Sequence, residues 1–171
     1  MPIDTAHLQL LPYAPEHLLA LIEGVPQFEA KIGQRAAEGL RDYIVSDEIS
    51  PAWHAQLRAA REPDVWVHGF GIVHRESGSV IGSAGFKGPP NEEGMVEIAY
   101  GIVPSYQGRG YATEAARSLV AALREAGWTV VAHIHPGHLA SQRVARAAGL
   151  SPTADVRDGE TRWVSQPATA T

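Results

Sequence analysis

Cysteine is absent from the 171 residues of the chain. Disulfides, thiolate metal sites and a cysteine nucleophile are therefore excluded. The sequence also has no run close to the roughly 20 apolar residues that a membrane-spanning helix needs. Its first residues lack both the basic start and the apolar core of a signal peptide. From these absences we expect a cytoplasmic protein with no membrane partner.

Basic residues are few and dispersed. Lys and Arg number 14 against 19 Asp and Glu, which gives a formal net charge of −5. Because nucleic-acid binding normally needs a basic face, we expect no nucleic-acid partner and favour a cationic or neutral one. The remaining composition, 44% hydrophobic and 19% charged, is ordinary for a globular protein. The length suits one domain with a sizeable core.

Apolar periodicity predicts an α/β (α+β) chain with a central sheet flanked by helices. Strands are predicted at residues 8–10, 65–74, 80–87, 95–103, 128–135 and 161–165. Helices are predicted at residues 15–23, 28–40, 51–61, 112–126 and 139–148. An antiparallel meander, with a hairpin turn at residues 76–79, leads into a strand–helix–strand–helix unit. We therefore expect a mixed, mostly antiparallel sheet.

A glycine-rich turn, Gln107-Gly108-Arg109-Gly110-Tyr111-Ala112, joins a predicted strand to a predicted helix. Glycine costs about 1 kcal/mol relative to alanine inside a helix, so these glycines need a reason. The N–H groups of a first helical turn lack internal partners, and the helix dipole adds positive potential there. Glycines let a bulky anion approach those donors, and Arg109 can add a charged donor. The turn predicts a phosphate cradle; a tight turn with incidental glycines is the alternative.

Two common phosphate-binding loops fit this turn poorly. A nucleoside-triphosphate loop should read GxxxxGK followed by Ser or Thr, but the turn has no lysine and different glycine spacing. A dinucleotide loop should read GxGxxG, but here Thr113 stands in the last position. The turn also follows an antiparallel meander, whereas a dinucleotide domain normally begins with such a unit.

The turn instead resembles the acyl-CoA-binding motif of the GNAT superfamily of N-acyltransferases, (Arg or Gln)-x-x-Gly-x-(Gly or Ala), which is complete here. The preceding "VEIAYGIVP" resembles that family's fourth strand, and "HLASQRVARAAGL" is similar to its second motif. Order and spacing agree from about Trp66 to Leu150. The details look most like the branch that includes ribosomal-protein N-terminal acetyltransferases.

The resemblance implies a GNAT-like fold and an N-acetyltransferase. Acetyl-CoA would be the co-substrate, and a primary amine, on a protein N-terminus or a small molecule, would attack it directly in a ternary complex. A non-catalytic acyl-CoA-binding sensor module and an enzyme for longer acyl groups are the alternatives. The resemblance also divides the chain into a helical substrate side at 1–64, a cofactor-binding core at 65–165 and a flexible tail at 166–171. The oligomeric state stays open between monomer and homodimer.

Cofactor-binding residues also follow from the resemblance. The pyrophosphate would lie on residues 107–113, namely Gln107, Gly108, Arg109, Gly110, Tyr111, Ala112 and Thr113. The backbone of Ile102 and Val103 would pair with the pantetheine arm as an added strand. His138, which replaces the usual asparagine of the second motif, would face the cofactor.

Catalytic candidates are fewer. Glu97 lies between apolar strand residues, where partial desolvation would raise its pKa and suit a general base; a solvated strand edge is the alternative. Many relatives have a tyrosine acid where this chain has Ala145. Ser141 is the remaining local hydroxyl, either a donor to the departing thiolate or a helix cap. Glu92 and Glu93 are expected in a solvated loop.

Histidines at 133, 135 and 138 have a spacing that suggests a metal site. No carboxylate lies nearby in sequence to complete a ligand shell, and we expect no metal. His68 and His74 are expected to line a site or to pack in the core.

Overall fold

The structure, a computed structural model, describes residues 1–45 and 51–166. Its strands are β1 (Ile3–Asp4), β2 (Leu8–Pro12), β3 (Arg35–Ala36), β4 (Phe70–His74), β5 (Ser79–Phe86), β6 (Met95–Ile102), β7 (Thr129–Ile134), β8 (Leu150–Arg157) and β9 (Glu160–Ser165). Its helices are α1 (Pro15–Glu23), α2 (Val25–Ile32), α3 (Leu40–Ile44), α4 (Pro51–Ala59), α5 (Val65–His68), α6 (Tyr111–Glu125) and α7 (Leu139–Ala147), with a 3₁₀ turn at Pro104–Tyr106. The expected tail, apart from Gln166, lies outside the described residues.

In the described parts of the chain, the strands form one sheet in the order β1-β2-β4-β5-β6-β7-β9-β8, with β3 added beside β5. Only β3–β5 and β6–β7 pair in parallel within these parts; the other pairs are antiparallel. The expected mixed, mostly antiparallel sheet is confirmed. The meander β4–β5–β6 leads into β6–α6–β7–α7, as the sequence predicts.

Strands β6 and β7 pair over a short distance and then separate. Their register runs from Met95 opposite Thr129 to Glu97 opposite Val131. On its other edge, β6 pairs with β5 as far as Ile102. We call the point after Glu97 and Val131, where the two strands part, the fork. It opens the sheet toward the turn that precedes α6.

Two apolar clusters hold the described helices on the sheet. The first joins β2, β4 and β5 to the N-terminal helices and includes Leu10, Phe28 and Ile72. The second packs β6, β7 and β9 against α6 and α7. Full burial of one such large side chain stabilises the fold by about 1.5–3 kcal/mol. Since the first cluster combines residues on both sides of position 64, the expected division there does not separate two cores.

Helix α6 confirms the predicted helix at 112–126 and buries an apolar stripe over most of its length. Ala116, Leu119 and Leu123 are buried against the sheet. Ala126 is exposed, because α6 ends at Glu125 and Gly127 then turns the chain with φ 90°. The position of α6 is thus set by an apolar face and a glycine end.

The N-terminal segment is fastened to the first turn of α6. The carboxylate of Glu114 accepts hydrogen bonds from Thr5 Oγ1 at 2.6 Å and from the His7 N–H at 3.0 Å. Burial would raise the pKa of Glu114, but hydrogen bonds from Thr5 and His7 outweigh it and lower the pKa. An ionised carboxylate also suits the positive end of the helix dipole.

The predicted helix at 28–40 is wrong. Helix α2 begins at Val25 and ends at Ile32, because Gly33 adopts the left-handed conformation with φ 75°. The chain then adds β3 and the short helix α3. A single glycine therefore divides what the sequence presents as one helical stretch.

The first half of the predicted strand at 65–74 is also wrong. Asp64 accepts a hydrogen bond from the Trp66 N–H and so caps the short helix α5. Gly69, at φ 70°, then turns the chain into β4, which starts at Phe70. Local capping overrides the strand propensity of "VWV".

Strand β8 has no counterpart among the predicted strands. It pairs only with β9 among the described elements, and seven of its eight residues are exposed. An edge strand of this kind has no buried face, so it shows no alternation of apolar and polar residues.

No helix in residues 1–45 and 51–166 has the length and apolar character to span a membrane.

Candidate active site

A cleft of about 500 Å³ lies at the fork, between the end of β6, the turn before α6 and the start of α7. It brings together most of the residues that the sequence predicts for cofactor binding. These are Ile102, Gln107, Gly108, Gly110, Tyr111, Ala112, Thr113, His138 and Ser141. Tyr43, Tyr100, Tyr106, Arg143 and Val144 join them without having been predicted.

We call residues 107–113 the cradle. Its two glycines are required by their backbone conformation, not by a lack of space for a side chain. Gly108 and Gly110 have φ 78° and 85°, values that favour glycine. A Cβ added at either position would meet no heavy atom within 4 Å. No side chain caps α6, which begins immediately after Gly110. The first helical N–H groups therefore face open space that an anion can fill.

Side chains beside the cradle hold its shape. Gln107 Nε2 donates to the Ile102 carbonyl at 2.8 Å and ties the turn to β6. The Arg109 guanidinium lies over the Tyr106 ring, 5.3 Å from its centre, and is exposed. Arg109 does not line the cleft in this arrangement, but its long side chain stands next to the open helix start.

His74 supports the cradle from behind. It is 7% exposed, and its ring packs against Tyr106 and Tyr111 with centroid distances of 5.3 and 5.1 Å. Its Nε2 lies 3.0 Å from the Tyr111 hydroxyl. The expectation that His74 is a packing residue is confirmed.

Strand β6 offers a free backbone edge to the cleft, but Val103 is not part of it. The Lys87 N–H donates to the Glu97 carbonyl, and the Val103 N–H donates to the Ile81 carbonyl. The backbone groups of odd-numbered residues from Glu97 to Val103 therefore point toward β5. The Val103 carbonyl accepts from the Tyr106 N–H. The prediction for Val103 is therefore wrong, since both of its backbone groups are already bonded.

Because successive residues of a strand direct their backbone groups to opposite edges, the even-numbered residues of β6 direct theirs to the cleft side. The N–H groups of Tyr100 and Ile102 point away from β5, beyond the last residue that β7 pairs. The Ile102 carbonyl already accepts from Gln107. Tyr100 thus replaces Val103 beside Ile102 as a backbone partner for an added extended chain.

Tyr100 also brings a hydroxyl group into the cleft. Its Oη donates to the Ser141 carbonyl at 3.5 Å. Burial raises the pKa of Tyr100 to about 12, so the phenol is protonated at neutral pH. The sequence predicts a hydroxyl donor only at Ser141 of α7, the helix in which Ala145 is fully buried in the core. The available signal was that Tyr100 is the one hydroxyl in "MVEIAYGI".

Ser141 lines the cleft and does not cap the helix. The N-cap of α7 is His138, which makes no side-chain capping hydrogen bond, and Ser141 is the third residue inside the helix. The helix-cap interpretation of Ser141 is therefore wrong. His138 lines the same cleft at the uncapped start of α7.

Glu97 is ionised and held by two neighbours. Its Oε1 accepts from His133 Nδ1 at 2.8 Å and from Lys87 Nζ at 3.2 Å. Burial would raise the pKa of Glu97, but the hydrogen bonds from His133 and Lys87 outweigh it and lower the pKa below its ordinary value. The predicted rise is wrong. The ionised carboxylate can only accept, so Nδ1 of His133 carries the proton in this hydrogen bond.

Glu97 and Ser141 lie in different cavities. Glu97 and His133 line a cavity of about 530 Å³ that also contains Glu92, Glu93 and Arg162, and this cavity shares no residue with the cleft. The strand register nevertheless places Glu97 at the last paired position before the fork, and His133 two residues beyond its partner. The side chains of Glu97 and His133 therefore lie at the fork, on the same face of the sheet.

His133, His135 and His138 do not come together as a metal site. His133 pairs with Glu97, and His135 Nδ1 accepts from the Gly137 N–H at 3.0 Å. Within residues 1–45 and 51–166, no group of three His, Asp or Glu side chains could hold a metal ion.

A smaller cavity of about 290 Å³ adjoins the cleft and shares Tyr43, Tyr100 and Gly101 with it. Its other lining residues are Val67, His68, Gly69, Ser83, Ala84, Gly85, Phe86 and Ala99. His68, which was expected either to line a site or to pack, is 92% buried and lines this cavity. Tyr43 was missed because it belongs to α3, in a region where the sequence predicted the end of one long helix.

Comparison with known families gives one match. The family described as acetyltransferase (GNAT) domain matches residues 7–151, most of the chain. A curated relative, the uncharacterized N-acetyltransferase YjdG of Bacillus subtilis (strain 168), is 33% identical over 89 residues. That alignment covers 51% of this chain and 51% of the relative, so the chain matches about half of that protein's length.

Solved structures share the fold over nearly the whole chain. An acetyltransferase from Agrobacterium tumefaciens str. C58 superposes with a TM-score of 0.63 at 19% identity, covering 97% of this chain and 94% of the other. A protein from Bordetella pertussis that is assigned to the GNAT acetyltransferases gives 0.62 at 25% identity, with 96% and 97% covered. RimL, a ribosomal alpha-N-protein acetyltransferase in complex with coenzyme A, gives 0.61 at 18% identity, with 96% and 94% covered.

Proposed function

Since the GNAT family profile matches residues 7–151, the chain belongs to the GNAT acetyltransferase family, and we propose that it transfers an acetyl group from acetyl-CoA to a primary amine. Acetyl-CoA supplies the activated acetyl group as a thioester. The amine nitrogen forms a bond to the acetyl carbonyl carbon as the carbon–sulfur bond breaks. The amine loses one proton and the sulfur gains one, so the products are an amide and a thiol.

One observation carries the proposal: the cradle is open, uncapped and kept free of side chains. Gly108 and Gly110 point no atom into the space in front of the first N–H groups of α6. A pyrophosphate is the kind of anion that such a helix start binds, and Arg109 can add a charged donor from the side. We assign the pyrophosphate of acetyl-CoA to residues 107–113 on this ground.

Beyond the cradle, the free edge of β6 would hold the extended pantetheine arm. The N–H groups of Tyr100 and Ile102 face the gap that opens at the fork. Pairing with this edge would lead the thioester from the cradle toward the fork and orient it. Such positioning is a large part of catalysis when two substrates must meet in a ternary complex.

Tyr100 is the proposed proton donor to the departing sulfur. Its phenol is protonated at neutral pH and lies in the cleft beside Ser141. Ser141, which lines the same cleft, is the second hydroxyl within reach of this position. This assignment replaces the tyrosine that many relatives have at the position of Ala145.

Deprotonation of the amine needs a base whose importance depends on the substrate. At pH 7, deprotonation costs about 4.6 kcal/mol for an amine of pKa near 10.4 and about 1.4 kcal/mol for an α-amine near 8. We propose that Glu97 and His133 act together. Glu97 fixes the ring by accepting from Nδ1, which leaves Nε2 of His133 to take a proton, through a water molecule where needed.

The proposal is tested by thiol release from acetyl-CoA in the presence of peptides, amino acids, polyamines or aminoglycosides, beside calorimetric binding of acetyl-CoA. We expect release with one of these amine classes. Tight binding without release from any of them would overturn the transferase and favour the sensor module. Absence of both binding and release would overturn the acyl-CoA site itself.

A further inference from the structure

Tyr43 stands between the cleft and the smaller cavity. It extends from α3 and lines both spaces, together with Tyr100 and Gly101. It is 47% exposed, which is unusual for a large aromatic side chain in contact with a central strand. The described hydrogen bonds and core contacts give the Tyr43 ring no packing role that would explain this position.

The Tyr43 ring lies directly over Gly101. A Cβ built at Gly101 would collide with the Tyr43 hydroxyl and approach Cε1 of the ring to 2.8 Å. Gly101 lies between Tyr100 and Ile102, whose N–H groups form the free edge of β6. The phenol therefore occupies the point where the cleft ends and the smaller cavity begins.

Resting on the proposed function, we infer that Tyr43 limits the length of the acyl group that the cleft accepts. The carbonyl carbon of the thioester must face the incoming amine, so the rest of the acyl chain extends toward the junction with the smaller cavity. An acetyl group ends there. A longer chain meets the Tyr43 ring before it can enter the cavity of about 290 Å³.

The matched variants are Tyr43→Ala, which removes the ring, and Tyr43→Phe, which keeps it and removes only the hydroxyl. Dissociation constants and kcat/KM are measured for acetyl-CoA and butyryl-CoA. In Tyr43→Ala, the butyryl-CoA to acetyl-CoA ratio of kcat/KM should rise by about tenfold or more, and the same ratio of dissociation constants should fall by a similar factor, because added methylenes in an apolar space change selectivity by this amount. In Tyr43→Phe, the ratio should stay at its wild-type value.

Gly101→Ala tests the same contact from the other side. Its methyl group would displace the Tyr43 ring, which has solvent on one side. The butyryl-to-acetyl ratio of kcat/KM should therefore rise here as well. In a Tyr43→Ala background, the additional Gly101→Ala change should alter the ratio by less than about twofold. It acts only through the ring that is already absent, and changes at two contacting residues are not additive. Gly101→Ala alone carries the test if Tyr43→Ala fails to fold by circular dichroism.

An unchanged ratio in both Tyr43→Ala and Gly101→Ala would overturn the inference while leaving acetyl transfer intact. An equal change in Tyr43→Phe and Tyr43→Ala would overturn it too, since the hydroxyl and not the ring would then be responsible. Failure of the wild-type chain to turn over acetyl-CoA contradicts the proposed function alone, because the binding ratios still report on Tyr43.

Discussion

The cradle and the fork are built in opposite ways. The cradle is seven consecutive residues that offer main-chain N–H groups, and its two glycines keep side chains out of the space. The fork depends on side chains that meet from distant positions. His133 reaches Glu97 across 36 residues, and Tyr100 reaches Ser141 across 41.

This difference separates two kinds of contribution. Under the proposed function, a cradle of backbone N–H groups would interact with the phosphates equally before and during the reaction and would govern affinity. Side chains at the fork would act on the amine and the sulfur, whose charges change in the transition state, and would govern rate. Variants in the two regions should therefore change different constants.

Tyr100→Phe should have the largest effect. It removes the proposed acid without changing the ring, and kcat should fall by about 100-fold, as is typical when a general acid is lost. The dissociation constant of acetyl-CoA should change by less than about threefold, since only the proton transfer is affected. Steady-state kinetics and calorimetry on the same samples give both values.

The control for Tyr100→Phe is Tyr13→Phe, which removes a buried phenol hydroxyl that does not line the cleft. It should leave kcat unchanged. An equal loss of kcat in both variants, or a loss of acetyl-CoA affinity in Tyr100→Phe, would mean that the fork acts through structure or binding and would remove the contrast with the cradle.

Gly110→Ala should have an intermediate effect, confined to affinity. A residue other than glycine in the left-handed region is strained by roughly 1–3 kcal/mol, and the strain or its relief disturbs the cradle. The dissociation constant of acetyl-CoA should rise about tenfold, which corresponds to about 1.4 kcal/mol. The value of kcat at saturating acetyl-CoA should stay close to that of the wild type.

Gly127→Ala is a closely matched control. Gly127 lies just beyond the other end of α6, has φ 90° and, like Gly110 at φ 85°, has open space around its Cβ position. Both substitutions should cost a similar amount of stability, but only Gly110→Ala should weaken acetyl-CoA binding. Comparable affinity losses would show that strain anywhere on α6 is sufficient, and that the cradle has no special role.

Glu97→Gln should have the smallest effect of the three substitutions. It should lower the free energy of unfolding by an amount that depends on pH. Because its partners lower the pKa of Glu97 in the folded state, the carboxylate stabilises the fold above the ordinary pKa of about 4.5 and loses this contribution as the pH falls through the folded pKa. The wild-type advantage, of about 1 kcal/mol or less for a partly exposed pair, should be present at pH 7 and smaller at pH 4. Urea unfolding at the two pH values measures it.

The opposite trend, a wild-type advantage over Glu97→Gln that grows toward pH 4, would contradict the charged state of Glu97. The cradle contains no carboxyl group, so the affinity change in Gly110→Ala should not follow the same pH course. The two regions would thus differ in pH dependence as well as in the constant they control.

Local sequence signals explain why the cradle could be predicted and much of the fork could not. Strand β6, the glycine turn and α6 follow one another in the chain, so periodicity and turn chemistry suffice to order them. The pKa of Glu97 depends on His133 and Lys87, which other strands bring to it. Tyr43 becomes part of the site only because Gly33 divides the predicted helix at 28–40 and α3 follows.

The link between Thr5 and Glu114 has a consequence for the order in which the chain folds during synthesis. The two residues are 109 positions apart. At about 5–20 residues per second, a ribosome takes roughly 5–20 seconds to cover that distance. Strand β2 likewise has only the two-residue β1 as a described partner until β4, which begins at Phe70 opposite Pro12, has been made. The earliest-made segment of this domain is therefore among the last to dock, and it waits for the helix that also forms the cradle.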